Sequence, residues 1–475
     1  MLKYLALFAA IVSGNCFPAE TSLPSVFSDH MVLQRDRPVP VWGKADPGTT
    51  VTVEFTGQKK ETVAGASGKW RIDLDPMPAS AEPCEMKISS NRKSGITNLK
   101  FTDVLVGEVW FCAGQSNMQM PMKGWPPKCP LDNTTSEIAA ANHPMIRLYN
   151  APMKFSSVPE ETINARWNVC TPETVASFSA CAYYFGRKLH RDLGVPVGLL
   201  LSSWGGTRIE PWTPPCGFES VSLLQKLYQQ STNLASLPKI DQQTPSALYN
   251  GMVHAHIPFA IRGAIWYQGE SNHGESLRYV DKSKALIDGW RKLWGYEFPF
   301  YFVQIAPFQY GNEDPAILPK FWEAQAEIVR AIPNTGMAVI TDCATLDNIH
   351  PPDKKDPGIR LALLAEAETY DMHVVSSGPV FESLEKQGSK LTVAFSSAVG
   401  LATRDGKAPD WFEVAGADDA FKPATAEVNG NSVILESPEV PDPQFMRFAW
   451  SKLAEPNLVN GAALPASAFR ASVVK

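Results

Sequence analysis

Residues 103–122 read DVLVGEVWFCAGQSNMQMPM, an apolar run that stops abruptly at Gly114-Gln115-Ser116-Asn117. Val104, Leu105, Val106, Val109, Trp110 and Phe111 have the density of a strand buried on both faces. Gly114 permits a tight turn where a Cβ would be strained. Ser116 then falls just past the carboxyl end of a central strand, where open α/β sheets place their ligands. A serine hydroxyl there attacks a carbonyl if a base stands beside it, and otherwise caps the helix that follows.

Outward from this stretch, residues 104–373 alternate strands and helices. Buried strands are expected at 197–201, 261–266, 300–305 and 338–340, and helices at 176–193, 277–293, 321–331 and 358–370. That alternation implies a mostly parallel sheet flanked by helices. Residues 20–103 carry short alternating runs, such as 50–55, between turn residues, and read as a sandwich-like β domain. From 374 to 475 the β pattern returns, with a turn at Val428-Asn429-Gly430-Asn431. The fold class expected is α/β with β regions at both ends of the chain. The two β ends form either separate modules or one sandwich with the α/β part inserted.

The net charge of −6 argues against nucleic-acid binding, which needs a basic footprint. Residues 1–19, with Lys3 ahead of the apolar LALFAAIV, read as a signal peptide too short to span a membrane, so export to the periplasm or medium is expected. Removing Cys16 leaves Cys84, Cys112, Cys129, Cys170, Cys181, Cys216 and Cys343, an odd number in a compartment that permits disulfides.

Three loops follow apolar strands and should open at one sheet edge. They hold Ser116, Gly205-Gly206 and Gln268-Gly269-Glu270. The Ser116 N–H, a glycine N–H and the Gln268 amide are the donor types that an oxyanion requires. For the base, Asp347-Asn348-Ile349-His350 stands out: a carboxylate three residues before a histidine can fix its tautomer. Asp342 is the alternative acid. Arg208 suits an anionic group on a substrate or pairs with Glu210, while Trp212 and Glu270 are candidate substrate contacts. His254 and His256 make an H-x-H without an acidic partner at a clear spacing, so no metal and no other cofactor is expected.

GQSNM at 114–118, SSWGGTRIEPW at 202–212, WYQGESN at 266–272 and IHP at 349–351 together resemble the sialate O-acetylesterase family of the SGNH-like hydrolases. The likeness extends to residues 23–48 and 447–470, and so to nearly all of the chain beyond the signal peptide. The resemblance implies a Ser-His hydrolase that removes O-acetyl groups from sugars, with Ser116 as nucleophile, His350 as base, and Gly205 or Gly206 with Gln268 as oxyanion donors. Members of the family differ in whether an acid supports the histidine, so Asp347 rests on its spacing from His350. Acetylated xylan or another polysaccharide is the alternative substrate, and a non-catalytic glycan binder the alternative class.

Overall fold

The computed structural model describes residues 21–92 and 95–473; the expected signal peptide lies outside them. Its central sheet runs Thr335–Ala338, Phe300–Val303, Gly263–Tyr267, Gly95–Gly114, Val197–Ser203, His143–Asn150, Trp167–Cys170. Every neighbouring pair in that order is parallel except the last, an antiparallel edge. Along the middle strand, successive side chains point to opposite faces. Val109, Phe111 and Ala113 enter one core with Trp266, Trp290 and Trp294, while Trp110 and Cys112 enter another with Leu199, Ile265 and Leu361. Both faces are therefore covered, which accounts for the unbroken apolar run.

The helices Ala180–Leu193, Arg278–Trp294, Ile317–Ala331 and Lys355–Glu368 lie close to the expected ranges. The first starts later than expected because Ser179 caps it, accepting from the Ala182 N–H at 3.1 Å. It ends at Gly194, whose φ of 68° is the left-handed geometry glycine tolerates. The fifth strand also differs. It occupies Thr335–Ala338 rather than 338–340, because Asn334 (φ 55°) turns the chain directly into the ladder with residues 300–303.

The middle strand is longer than the core it serves. Gly95–Gly114 pairs with Ser80–Arg92 at its start and with Val197–Ser203 and Gly263–Tyr267 at its end, passing unbroken through residues 103 and 104. Asp103 sits at this junction with φ 56°, held by Arg147 at 2.6 and 3.0 Å and by His30 at 2.6 Å. The C-terminal part contains two four-stranded sheets, separate from the N-terminal strands. They meet over Phe381, Phe395, Phe448 and Phe469, with ring centroids 4.9–5.7 Å apart around Phe469. Lys452, from this region, is buried against the α/β part and donates to the carbonyls of Gly311 (2.9 Å) and Glu313 (2.6 Å).

Candidate active site

In the ladders Gly114 stands opposite Ser203 on one side and Tyr267 on the other. Three adjacent parallel strands thus end level, and Ser116, Gly205 and Gln268 lie one or two residues beyond. Gly114 has φ 145°, and a Cβ there would collide with the Tyr267 carbonyl, so the turn requires glycine. Ser116 opens the short helix Ser116–Gln119, where a first-turn N–H has no intrahelical acceptor. A Cβ placed on Gly205 would lie 3.2 Å from the Ser116 Cβ, so these two loops touch.

Side chains that the sequence reading passed over tie the loops together. Gln115 Oε1 accepts from the Ser271 N–H at 3.3 Å. Asn117, almost wholly buried, donates its amide both to Glu270 Oε1 (2.5 Å) and to the Ile349 carbonyl (3.1 Å). One residue therefore joins the serine loop, the Gln-Gly-Glu loop and the histidine loop. His350 is half-buried. Its N–H donates to Asn348 Oδ1 at 3.0 Å, Cys129 Sγ lies 3.7 Å from its Nδ1, and the Trp125 ring meets it edge-on at 5.4 Å. Burial, reinforced by the buried Lys354 ammonium, holds the imidazole pKa down to about 4. Lys354, itself lowered to about 8 by burial, donates to the Pro351 carbonyl. An unprotonated imidazole at neutral pH is the state a general base needs.

The remaining candidates are placed as follows. Asp347 is exposed, and its carboxylate makes no hydrogen bond or ion pair with a described residue. Asp342 is engaged by Arg360 at 2.6 and 2.7 Å and makes no hydrogen bond to His350. Gln268, expected to aim its amide at an oxyanion, is wholly buried. Its nitrogen donates to the Thr207 carbonyl (3.2 Å) and Asn272 Oδ1 (2.7 Å), and its oxygen accepts from Tyr279 Oη (2.7 Å). Both amide hydrogens are spent on the scaffold. The Gly205 N–H donates to Gln119 Oε1 at 2.8 Å, a carbonyl oxygen standing where a substrate oxyanion could stand. Gly206 has φ 73°, and a Cβ built on it would meet no atom within 4 Å.

Trp212 and Glu270, expected at the substrate, are instead buried. The Trp212 indole donates to Thr207 Oγ1 at 3.0 Å, and the Glu270 carboxyl, its pKa raised by burial, takes its bond from Asn117. Arg208 pairs with both Glu210 and Glu275. The aromatic surface near the serine is Trp204 instead, half-buried and stacked with the exposed Phe155 at 6.2 Å. His256 is wholly buried between the Phe111 and Tyr149 rings, and His254 Nδ1 and Tyr249 Oη share a hydrogen bond at 2.8 Å. Among the described residues, Cys343, Asp353 and Asp356 bring possible metal-ligating atoms within 4.8 Å of one another. Asp353 is engaged there with the N–H groups of Lys355 and Asp356, and Asp356 with Arg360.

Comparison with known proteins shows the family. Residues 106–359 match the model of the family described as carbohydrate esterase, sialic acid-specific acetylesterase. Human sialate O-acetylesterase is 30% identical over 423 residues, covering 81% of this chain and 78% of the human protein. The mouse enzyme is 29% identical over 442 residues, covering 81% and 80%. A solved carbohydrate acetylesterase from Xanthomonas citri superimposes with a TM-score of 0.86 at 34% identity, covering 96% of this chain and all of that one. The chain is an esterase, and it belongs to the sialic acid-specific acetylesterase family of carbohydrate esterases.

Proposed function

We propose that this esterase is an exported enzyme that removes O-acetyl groups from sialic acid or related acetylated sugars through an acyl-enzyme on Ser116. His350 Nε2 takes the Ser116 hydroxyl proton as Oγ attacks the acetyl carbonyl. The Ser116 N–H and the N–H groups of Gly205 and Gly206 receive the oxyanion, the substrate displacing Gln119 Oε1 from Gly205. Collapse expels the sugar oxygen, which takes the proton back from His350. Water, deprotonated by His350, then attacks the acetyl carbon and releases acetate and free Ser116. Asp347 stands on an exposed loop three residues before His350, and Gln268 ties down the loops that carry the donors. The observation that carries this reading is Asn117, whose amide binds the serine's loop to the histidine's through the Ile349 carbonyl and to the Gln-Gly-Glu loop through Glu270.

Export rests on the charge and apolar pattern of residues 1–19. Among the described residues, no helix is long and apolar enough to cross a membrane. The division into an N-terminal β domain to 103, an esterase domain at 104–373 and a C-terminal β region is part of the same proposal.

One observation favours a second substrate. Arg208, the cation expected to meet an anionic group, is already held by two glutamates, whereas Trp204 and Phe155 offer ring faces that suit a neutral sugar. An acetylated neutral polysaccharide such as acetyl xylan is therefore the alternative. Acetate release from a panel of O-acetylated sialic acids and acetylated xylan separates the two. Hydrolysis of the sialates alone supports the first, hydrolysis of xylan alone the second, and hydrolysis of neither refutes both.

A further inference from the structure

Within the proposed Ser116–His350 mechanism, something must fix the imidazole so that Nε2 is bare and faces the serine. In serine hydrolases of the triad type, a carboxylate accepting from Nδ1–H does this. Here the two candidate carboxylates are elsewhere: Asp342 is bound by Arg360, and Asp347 is exposed without a partner among the described residues. The group at Nδ1 is the Cys129 thiol, 3.7 Å away.

The surroundings of that thiol are ordered around the same ring. Cys129 Sγ also lies 3.9 Å from Asn348 Oδ1, and the same oxygen accepts the His350 backbone N–H at 3.0 Å. The Cys129 loop is closed on itself by two backbone hydrogen bonds between Trp125 and Cys129, each 2.9 Å. The closure brings the Trp125 ring edge-on to the imidazole. Sulfur is both a weak donor and a weak acceptor. With S–H turned to Asn348 Oδ1, a sulfur lone pair faces Nδ1, which can then hold its proton and leave Nε2 unprotonated.

We propose that Cys129 is the positioning residue for His350, standing where other hydrolases place the triad acid, with Trp125 as the wall that limits rotation of the ring. The thiol sets the tautomer and orientation but supplies little of a carboxylate's stabilisation of the imidazolium. No bond to sulfur is made or broken in the reaction.

The test measures kcat and KM on p-nitrophenyl acetate, together with unfolding midpoints, for wild type, Cys129→Ala, Cys129→Ser, Asp347→Asn and Ser116→Ala. Loss of orientation should lower kcat of Cys129→Ala by about tenfold to a hundredfold with KM and the midpoint little changed. Cys129→Ser, which keeps a small donor and acceptor, should recover most of that loss, and Asp347→Asn should cost less than Cys129→Ala. Wild-type turnover in Cys129→Ala overturns the proposal. So does a serine variant no better than the alanine one, which would reduce Cys129 to packing, or a larger loss in Asp347→Asn, which would make Asp347 the orienting acid. Activity surviving in Ser116→Ala would instead refute the underlying mechanism, whatever the cysteine variants do.

Discussion

Asn117→Ala removes a side chain that bridges three active-site loops. Its amide hydrogens go to Glu270 Oε1 and the Ile349 carbonyl, both in buried or part-buried surroundings. Glu270 Oε2 already lacks a partner among the described residues, so the substitution strands the whole carboxyl in the interior. Leaving a buried polar group unsatisfied costs about 1–3 kcal/mol, so two stranded acceptors should cost roughly 2–6 kcal/mol of stability. The same change unhooks the Ser116 turn from the histidine loop. A displacement of about 1 Å between reacting groups lowers the rate by about a hundredfold. Urea unfolding gives the first quantity, and kcat on p-nitrophenyl acetate below the unfolding transition gives the second. A variant within about 0.5 kcal/mol of wild type and within about twofold in kcat would refute Asn117 as the tie between the loops.

Gln268→Ala should lose stability, by about 2–4 kcal/mol for the buried partners it strands; a hundredfold fall in kcat with stability intact would restore Gln268 as a direct oxyanion donor. Because the His350 pKa is held down to about 4, the base stays unprotonated above that pH. The acidic limb of kcat/KM should therefore lie near pH 4 rather than near the ordinary histidine value of about 6.5. Lys354→Met removes the neighbouring positive charge and should move that limb upward, with burial, the larger cause, still holding it below about 6.5; a downward shift would refute the assigned effect of Lys354. Activity should survive dialysis against a chelator, and loss restored by zinc would direct attention to Cys343, Asp353 and Asp356.

What could be read in the sequence was whatever a short window determines. Gly114 before Ser116, and the glycines at 205 and 206, mark turns after buried strands, and the ladders place those turns at one edge. The last two strands of the sheet, His143–Asn150 and Trp167–Cys170, were not visible, because partly exposed strands lack a continuous apolar run. Side-chain commitments were not visible either. Trp212 and Glu270 share loops with the candidate donors, but their direction depends on partners at Thr207 and Asn117. Asp347 lies three residues from His350 in the chain, yet the ring's neighbour is Cys129, more than two hundred residues away. Contacts of that sequence separation leave no local pattern. Asn117 carried a signal that went unused: a buried amide directly after the nucleophile must find partners, and the loops nearby are where they lie.

In the proposed mechanism everything turns on attack by the Ser116 hydroxyl on the acetyl group. The most direct measurement is acetate release from an acetylated sugar by purified Ser116→Ala, with its folding checked by circular dichroism against wild type. Removing the nucleophile of such a site costs on the order of a million-fold in rate. The expected result is a folded protein with no measurable acetate release above the buffer blank. Turnover close to that of the wild type would contradict it and remove Ser116 from the chemistry.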